Sequence, residues 1–101
     1  MIDIAWSSSA FAILEVLPQQ IAFAIVRRVD TLAAFPELGP ALSIRSLALG
    51  NLRQLLVNRR YRVIYQYDEA SAAIRVLAIQ TCRQQLPTES ELKRSLQKGF
   101  Y

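Results

Sequence analysis

A short segment rich in turn-forming residues, 35–40, constrains the fold of this chain more than any other feature. It reads Phe-Pro-Glu-Leu-Gly-Pro, so two prolines and a glycine fall within six residues and stop regular structure there. Before it, Ile21, Ile25 and Val29 recur at helical spacing, which predicts an amphipathic helix. After it, β-branched and aromatic residues dominate, which predicts strands. The chain is therefore predicted to be α+β.

The first half of this pattern predicts a strand and two helices. A short strand covers 2–6, and one of the serines 7–9 caps a helix over 10–17. Pro18 opens a second helix over 18–34, because a proline fits the first turn of a helix but not its interior. Together the two helices form a helical hairpin.

Four further strands and a last helix are predicted after the turn. The connections between the strands are short, with Gly50-Asn51 suited to a tight hairpin turn, so the strands form an antiparallel meander over 44–49, 52–57, 61–67 and 73–80. Thr88 and Glu91 have the spacing of a capping box for a helix that Gly99 closes. We predict a single domain over 1–101, with an N-terminal helical hairpin packed on a small twisted antiparallel sheet and a C-terminal helix.

Composition excludes several kinds of chemistry. The 101 residues include no histidine and one cysteine, Cys82, so a His-based triad, an internal disulfide and a His- or Cys-rich metal site are ruled out. Cys82 is predicted to be a small buried residue. Three scattered glycines do not make a phosphate-binding loop. We expect no cofactor and no metal, and the interruption of the apolar run 10–26 by Glu15 and Pro18 predicts a cytoplasmic protein without membrane contact.

Positive charge is concentrated in the predicted sheet. The net charge is +4, ten of the twelve basic residues are arginine, and seven arginines lie between 45 and 83 beside only Asp68 and Glu69 as acids. Such a region attracts a polyanion or an acidic protein surface, although arginines on strands also serve as solvated edge protection. Candidate binding residues are Arg53, Arg59, Arg60, Arg62 and Arg83.

The strand register decides whether these arginines work together. Arg53, Arg62 and Arg83 lie on or beside successive strands and converge only if the register permits, whereas Arg59 and Arg60 lie in a turn. Tyr61, Tyr65 and Tyr67 share one strand face, a stripe that is typical of core packing.

Residues 52–68 and 74–79 resemble the RelE/ParE toxin superfamily. The most specific part is Tyr-Arg-Val-Ile-Tyr at 61–65, and the approach to the sheet through Pro36-Glu37-Leu38-Gly39 is also similar. The resemblance covers 2–86. It implies the toxin of a type II toxin–antitoxin, or plasmid stabilisation, system: a small basic protein that inhibits growth and is neutralised by a cognate antitoxin.

One branch of the superfamily consists of ribosome-dependent mRNA endoribonucleases. The resemblance to that branch would place Arg53, Arg62 and Arg83 on the phosphate. However, Gln85 and Leu86 stand where those members carry a His-Tyr pair. Proton transfer would then have to recruit a residue of the C-terminal region: Glu89, Glu91 or Tyr101.

The other branch of the superfamily consists of ParE-like members, which act by binding DNA gyrase and need no catalytic residues of their own. The helical hairpin and the missing proton carrier favour this branch, although Thr81 stands where such chains often carry a histidine. We expect a ParE-like gyrase inhibitor that is not an enzyme. The alternatives are the RelE-like endoribonuclease and a regulatory partner without toxicity.

Overall fold

The computed structural model describes residues 2–42 and 49–101. The elements in chain order are β1 (Asp3–Trp6), α1 (Ser8–Val16), α2 (Gln19–Asp30), a 3₁₀ turn (Thr31–Ala33), β2 (Leu52–Val57), β3 (Tyr61–Asp68), β4 (Ala73–Thr81) and α3 (Glu89–Gln97). The second helix ends as an α-helix at Asp30 rather than Ala34, since its last turn tightens to 3₁₀. The strand predicted over 44–49 lies almost wholly outside the described residues.

The α+β architecture is confirmed, with one correction to the sheet. The strand order is β1-β4-β3-β2, and β2, β3 and β4 form the expected antiparallel meander. β1, however, pairs in parallel with β4, so the sheet is mixed and not wholly antiparallel. Short turns impose antiparallel pairing on the meander, whereas β1 reaches the sheet edge from a distant part of the chain and is free of that constraint.

Helices cover both faces of the sheet. α1 and α2 pack on a core that includes Ile25, Val29, Val63 and Tyr65. α3 packs on the opposite face, where Leu92 meets Ile64, Leu77, Leu49 and Leu52. The segment after β4 therefore leads α3 to the face of the sheet opposite α1 and α2. The tyrosine stripe of β3 faces the α1 and α2 side, as its alternation predicts.

A β-bulge in β4 is tied to the start of α1. The register shifts between Ile64 and Tyr65, which leaves Leu77 as an extra residue in β4. The fully buried Ser7 donates its hydroxyl to the Leu77 carbonyl at 2.9 Å and accepts the backbone N–H of Ala10 at 3.1 Å. Ser7 is thus both the N-cap of α1 and the side chain that satisfies the bulge.

The C-terminal helix begins and ends as its sequence predicts. Thr88 and Glu91 form the reciprocal capping box. Gly99 takes a left-handed backbone, with φ 103°, just after the helix. Beyond Gly99, the backbone N–H of Tyr101 donates to the Trp6 carbonyl at 2.8 Å, so the last residues pair with the end of β1.

Candidate functional site

Arg53 is used inside the fold. Its Nη1 donates to the Gly39 carbonyl at 2.8 Å and to the Glu37 carbonyl at 3.3 Å, and its Nη2 pairs with the Glu37 carboxylate at 3.2 Å. These bonds hold the segment 36–40 against β2. The guanidinium of Arg53 therefore stabilises the turn-rich segment that separates the helical hairpin from the sheet.

The Tyr65 hydroxyl also binds the segment 36–40. Its hydroxyl donates to the Pro36 carbonyl at 2.8 Å and accepts the Gly39 N–H at 3.1 Å. A side chain on Gly39 would collide with the Gln54 carbonyl, so the backbone approaches β2 as only glycine allows. Burial raises the pKa of Tyr65, against the lowering effects of the Gly39 N–H and of the Arg53 charge.

The register places Arg62 on the opposite face from Arg53. Arg53 lies opposite Tyr65 on the α2 side, whereas Arg62 lies between Leu56 and Gln80 on the α3 side. Arg62 donates from Nη2 to the Gln84 carbonyl at 2.7 Å, which ties it to the segment after β4. The register therefore places Arg53 and Arg62 on different faces, and the condition under which Arg53, Arg62 and Arg83 would converge is not met for this pair.

Unpaired polar atoms lie on the α3 side of the sheet. Within the described ranges, Arg62 Nε, Gln54 Oε1 and Gln80 Oε1 are buried without a hydrogen-bond partner. Arg62 and Gln80 are direct cross-strand neighbours. Gln54 lies opposite Ile64, which follows Arg62 by two residues on the same face of β3. This face therefore keeps unused hydrogen-bonding capacity.

Arg59 and Arg60 form the β2–β3 turn. The N–H of Arg60 donates to the Val57 carbonyl at 3.2 Å, and Asn58 and Arg59 both take left-handed backbone conformations, with φ 53° and 58°. Asparagine tolerates that region well, whereas a long side chain with a Cβ is disfavoured there. Arg59 therefore occupies a position where its own backbone is strained.

Arg83 lies in a second turn beside the first. The N–H of Gln84 donates to the Thr81 carbonyl at 3.1 Å, and the N–H of Cys82 donates to the Arg60 carbonyl at 2.8 Å. The two turns are thereby joined. They border an open cleft of about 430 Å³, which we call the basic cleft, lined by Arg59, Arg60, Tyr61, Thr81, Cys82 and Arg83.

Cys82 is exposed in this cleft, so the expectation of a buried cysteine is wrong. It lies in a turn after the last residue of β4, where the side chain no longer points into either core. Thr81 and Cys82 were missed as cleft residues at the sequence level, since only the pairing of the two turns brings them beside Arg59 and Arg60.

The basic cleft has the charge to hold an anion. Its lining contains no carboxylate, and arginine stays protonated. The acidic and phenolic residues of the C-terminal region are engaged elsewhere: Glu91 in the capping box, Glu89 with Lys93 at 3.0 Å, and Tyr101 against the ring of Phe11. Glu91 also lines a separate cleft of about 270 Å³ between α3 and β4.

The other end of the sheet carries the opposite charge. A cleft of about 320 Å³, which we call the acidic cleft, is lined by Glu37, Asn51, Arg53, Tyr67, Asp68, Glu69 and Ala70. Asp68 accepts the N–H groups of Ala70 and Ser71. Hydrogen bonding by Ser71, above all from its side chain, lowers the pKa of Asp68.

Two further chemical properties of the described ranges bear on function. No group of three or more His, Cys, Asp or Glu residues in them is arranged to hold a metal ion. None of their helices combines the length and the apolar composition that crossing a bilayer requires.

The helical hairpin exposes apolar side chains to solvent. Val16 of α1 is 77% exposed and Phe23 of α2 is 58% exposed. Arg27 and Arg28 follow in the last turn of α2. In the sequence, Phe23 lies off the stripe formed by Ile25 and Val29, and this spacing is a signal from which the surface could have been found.

Two solved structures similar to this chain contain bacterial toxins. The isolated E. coli RelE toxin superposes with a TM-score of 0.67, at 12% identity, over 93% of this chain and 98% of that one. The toxin–antitoxin complex RelBE2 from Mycobacterium tuberculosis gives a TM-score of 0.63, at 23% identity, over 79% of this chain and 96% of that one. At these identities the comparison defines the fold, which is that of the RelE/ParE toxins.

The sequence assigns the chain within that group. The family model for the ParE toxin of the type II toxin–antitoxin system parDE matches residues 4–86. The chain therefore belongs to the ParE toxin family, and the resemblance inferred from its sequence is confirmed. No curated protein matches the chain significantly.

Proposed function

We propose that this toxin acts as a ParE-like inhibitor that binds DNA gyrase in the cytoplasm and serves a plasmid stabilisation system. The match of residues 4–86 to the ParE toxin family carries the proposal. The charge of the basic cleft agrees with it, since the three arginines that line the cleft suit the binding of acidic groups on a partner. The whole chain, 1–101, acts as a single toxin domain and needs neither metal nor cofactor.

The target contact is assigned to the basic end of the sheet. Arg59, Arg60 and Arg83 border the basic cleft, and Arg62 lies beside it through its bond to Gln84. Arg53, also a candidate from the sequence, is committed to Glu37 and Gly39 and serves the fold. Target binding should therefore weaken when any one of four arginines is lost: Arg59, Arg60, Arg62 or Arg83.

A supercoiling assay tests this proposal. The purified full chain is added to DNA gyrase and relaxed plasmid, and supercoiled product and cleaved DNA are quantified on gels. We expect loss of supercoiling and accumulation of cleaved plasmid, with Arg60→Gln several-fold weaker than the wild type. Arg94→Gln, on the exposed side of α3, is the matched control and should inhibit normally.

Unchanged supercoiling at toxin concentrations that arrest growth would contradict the proposal. Normal growth after expression of the chain without an antitoxin would instead favour the regulatory partner without toxicity.

A cognate antitoxin is proposed to cover the exposed apolar surface of the helical hairpin. Val16 and Phe23 are exposed there, and Arg27 and Arg28 lie in the last turn of α2. An acidic, amphipathic segment would complement both properties. RelBE2, a similar structure, is described as a toxin–antitoxin complex.

Co-expression with the neighbouring reading frame tests the antitoxin. We expect it to restore growth, and Phe23→Ser to weaken the complex in a pull-down without unfolding the toxin. Ala12→Ser, which changes another exposed residue of the hairpin, is the control. A Phe23→Ser toxin that binds its antitoxin as tightly as the wild type would place the interface elsewhere.

The second candidate is a RelE-like, ribosome-dependent endoribonuclease. The fold of the isolated E. coli RelE toxin favours it, as does the position of Arg62, which is held to the segment that contains Arg83. Primer extension on mRNA from induced cells discriminates: cuts at defined codon positions support the nuclease, and intact transcripts together with blocked supercoiling support the gyrase inhibitor.

A further inference from the structure

Two adjacent turns present arginines in equivalent positions. Arg59 is the third residue of the turn that begins at Val57, and Arg83 is the third residue of the turn that begins at Thr81. The bond between Cys82 N–H and the Arg60 carbonyl, at 2.8 Å, fixes one turn against the other. The guanidinium groups therefore project from a backbone that is held in place by three hydrogen bonds, rather than from separate mobile loops.

These arginines are available to an external ligand. Arg53 and Arg75 pair with Glu37 and Asp68 at 3.2 and 3.6 Å. By contrast, in the two ranges 2–42 and 49–101, Arg59, Arg60 and Arg83 form no ion pair with a carboxylate. Three cations around one open cleft repel each other, and an anion bound between them would remove that repulsion.

The backbone of Arg59 gives an independent indication of function. Its φ of 58° is a conformation in which glycine is more stable than a residue with a long side chain. Strain of this kind persists where a side chain is needed at that point. Closing the hairpin does not itself require an arginine at this position, because glycine would adopt the same backbone with less strain.

The lining selects the class of anion. The basic cleft contains three arginines, the Thr81 hydroxyl, Cys82 and the partly exposed ring of Tyr61, but no aliphatic side chain. Acidic peptides bind through apolar anchors as well as charge, and no residue that lines the cleft supplies such an anchor, since the exposed Leu56 of β2 lies outside the lining. Guanidinium forks with a neighbouring aromatic ring suit a nucleic-acid strand.

We propose that the basic cleft, with Arg59 and Arg83 side by side on its two joined turns, binds the phosphodiester backbone of a nucleic acid. This activity goes beyond the proposed contact with gyrase and does not require it. The toxin would hold nucleic acid directly, without reading its sequence, since guanidinium contacts to phosphates carry no base information.

Binding to oligonucleotides tests the proposal with the full chain and no other protein. Labelled 20-mer duplex DNA and 20-mer single-stranded RNA are titrated between about 50 and 200 mM NaCl, and fluorescence anisotropy is measured. The double variant Arg59→Gly/Arg83→Gln should bind at least about tenfold more weakly. On duplex DNA the slope of log K against log salt should fall by about two, because each lost phosphate contact removes about 0.9.

The control removes the same charge elsewhere. Arg94→Gln/Lys98→Gln changes two basic residues of the C-terminal region that line a different cleft, and it should bind within about twofold of the wild type. The tighter of the two oligonucleotides identifies the natural source of the backbone. Absence of binding to both, or an equal loss in the control variant, would overturn the proposal.

The single cysteine supplies a second readout that needs no variant. Cys82 lines the basic cleft and is exposed, so an oligonucleotide bound there should slow its alkylation by N-ethylmaleimide. Poly-glutamate at equal charge concentration should protect it less. Equal protection by poly-glutamate would assign the cleft to an acidic polypeptide instead. Neither readout involves gyrase, so a negative supercoiling assay leaves this inference standing, and the converse also holds.

Discussion

The two ends of the sheet use arginine in opposite ways. At the end that holds the acidic cleft, Arg53 is bound by Glu37 and Gly39, and Arg75 contacts Asp68 and Gln66. At the other end, Arg59, Arg60 and Arg83 surround an open cleft without a carboxylate in its lining. The same residue type therefore holds the fold together at one end and remains available to a partner at the other.

This difference shows why a count of arginines does not locate a binding surface. A guanidinium that is already bound to a carboxylate and to backbone carbonyls would have to break those bonds before it could bind an anion. An unpaired guanidinium at a turn has no such cost. Of the two ends of the sheet, the end with the basic cleft therefore carries the arginines that can add binding energy cheaply, although the sequence places the arginines of both ends in one basic region.

The largest expected effect tests the packing beside the acidic cleft. Gly39→Ala should lower the free energy of unfolding by about 2–3 kcal/mol, because the new Cβ collides with the Gln54 backbone and the Tyr65 ring. Denaturant unfolding measures the change. Gly50→Ala, where φ is 67° and no atom lies near the added Cβ, should cost only about 1 kcal/mol. Equal losses would mean that a small shift of β2 relieves the collision at Gly39.

The next effect tests the hydroxyl that anchors the segment 36–40. Tyr65→Phe removes the bonds to Pro36 and Gly39 and should lower the free energy of unfolding by about 1–2 kcal/mol. Because the pKa of Tyr65 is raised in the folded protein, the stability that its hydroxyl contributes depends on pH. This contribution to the free energy of unfolding is complete below about pH 10 and is lost as pH rises through the folded pKa. Between pH 7 and 11, the free energy of unfolding should therefore fall more steeply with rising pH in the wild type than in Tyr65→Phe. Identical pH profiles for the two proteins would contradict this.

A pair of substitutions compares the two ends directly. Arg53→Gln should lower the free energy of unfolding by about 1 kcal/mol, since the bonds to Glu37 and Gly39 are lost. Arg59→Gly should raise it by about 0.5–1 kcal/mol, because glycine relieves the left-handed backbone. Chemical denaturation of both variants checks the opposite signs. A loss of stability in Arg59→Gly would show that its side chain also supports the fold.

The smallest effect concerns the partly exposed Asp68. Because the pKa of Asp68 is lowered in the folded protein, its contribution to the free energy of unfolding is present above about pH 4 and is lost as pH falls through the folded pKa. Asp68→Asn should therefore melt at a slightly lower temperature than the wild type at pH 7, and at the same temperature near pH 2.5. A difference in melting temperature that persists in acid would assign the effect to packing rather than to charge.

Local features of the molecule were predictable from sequence, because each depends on residues that are close in the chain. The capping box of Thr88 and Glu91 and the bounds of β2 are as predicted, and Ser7 is one of the three predicted caps. The alternation of β3 also placed Tyr65 on the buried face. Propensity and period alone decide these features.

Features that join distant segments were not predictable. The parallel pairing of β1 with β4, the bulge at Leu77 and the exposure of Cys82 all depend on how separate elements meet. The separation of Arg53 from Arg62 is of the same kind, because a shift of one residue in register would move either side chain to the other face.

The amino-acid order was thus sufficient for the α+β class, the helical hairpin, the antiparallel meander and membership of the RelE/ParE superfamily. Tertiary structure alone decided which arginines are free. The physical reason is that a guanidinium becomes available or committed through partners far away in the chain, such as Glu37 for Arg53, and those partners are set by the packing of turns and strands.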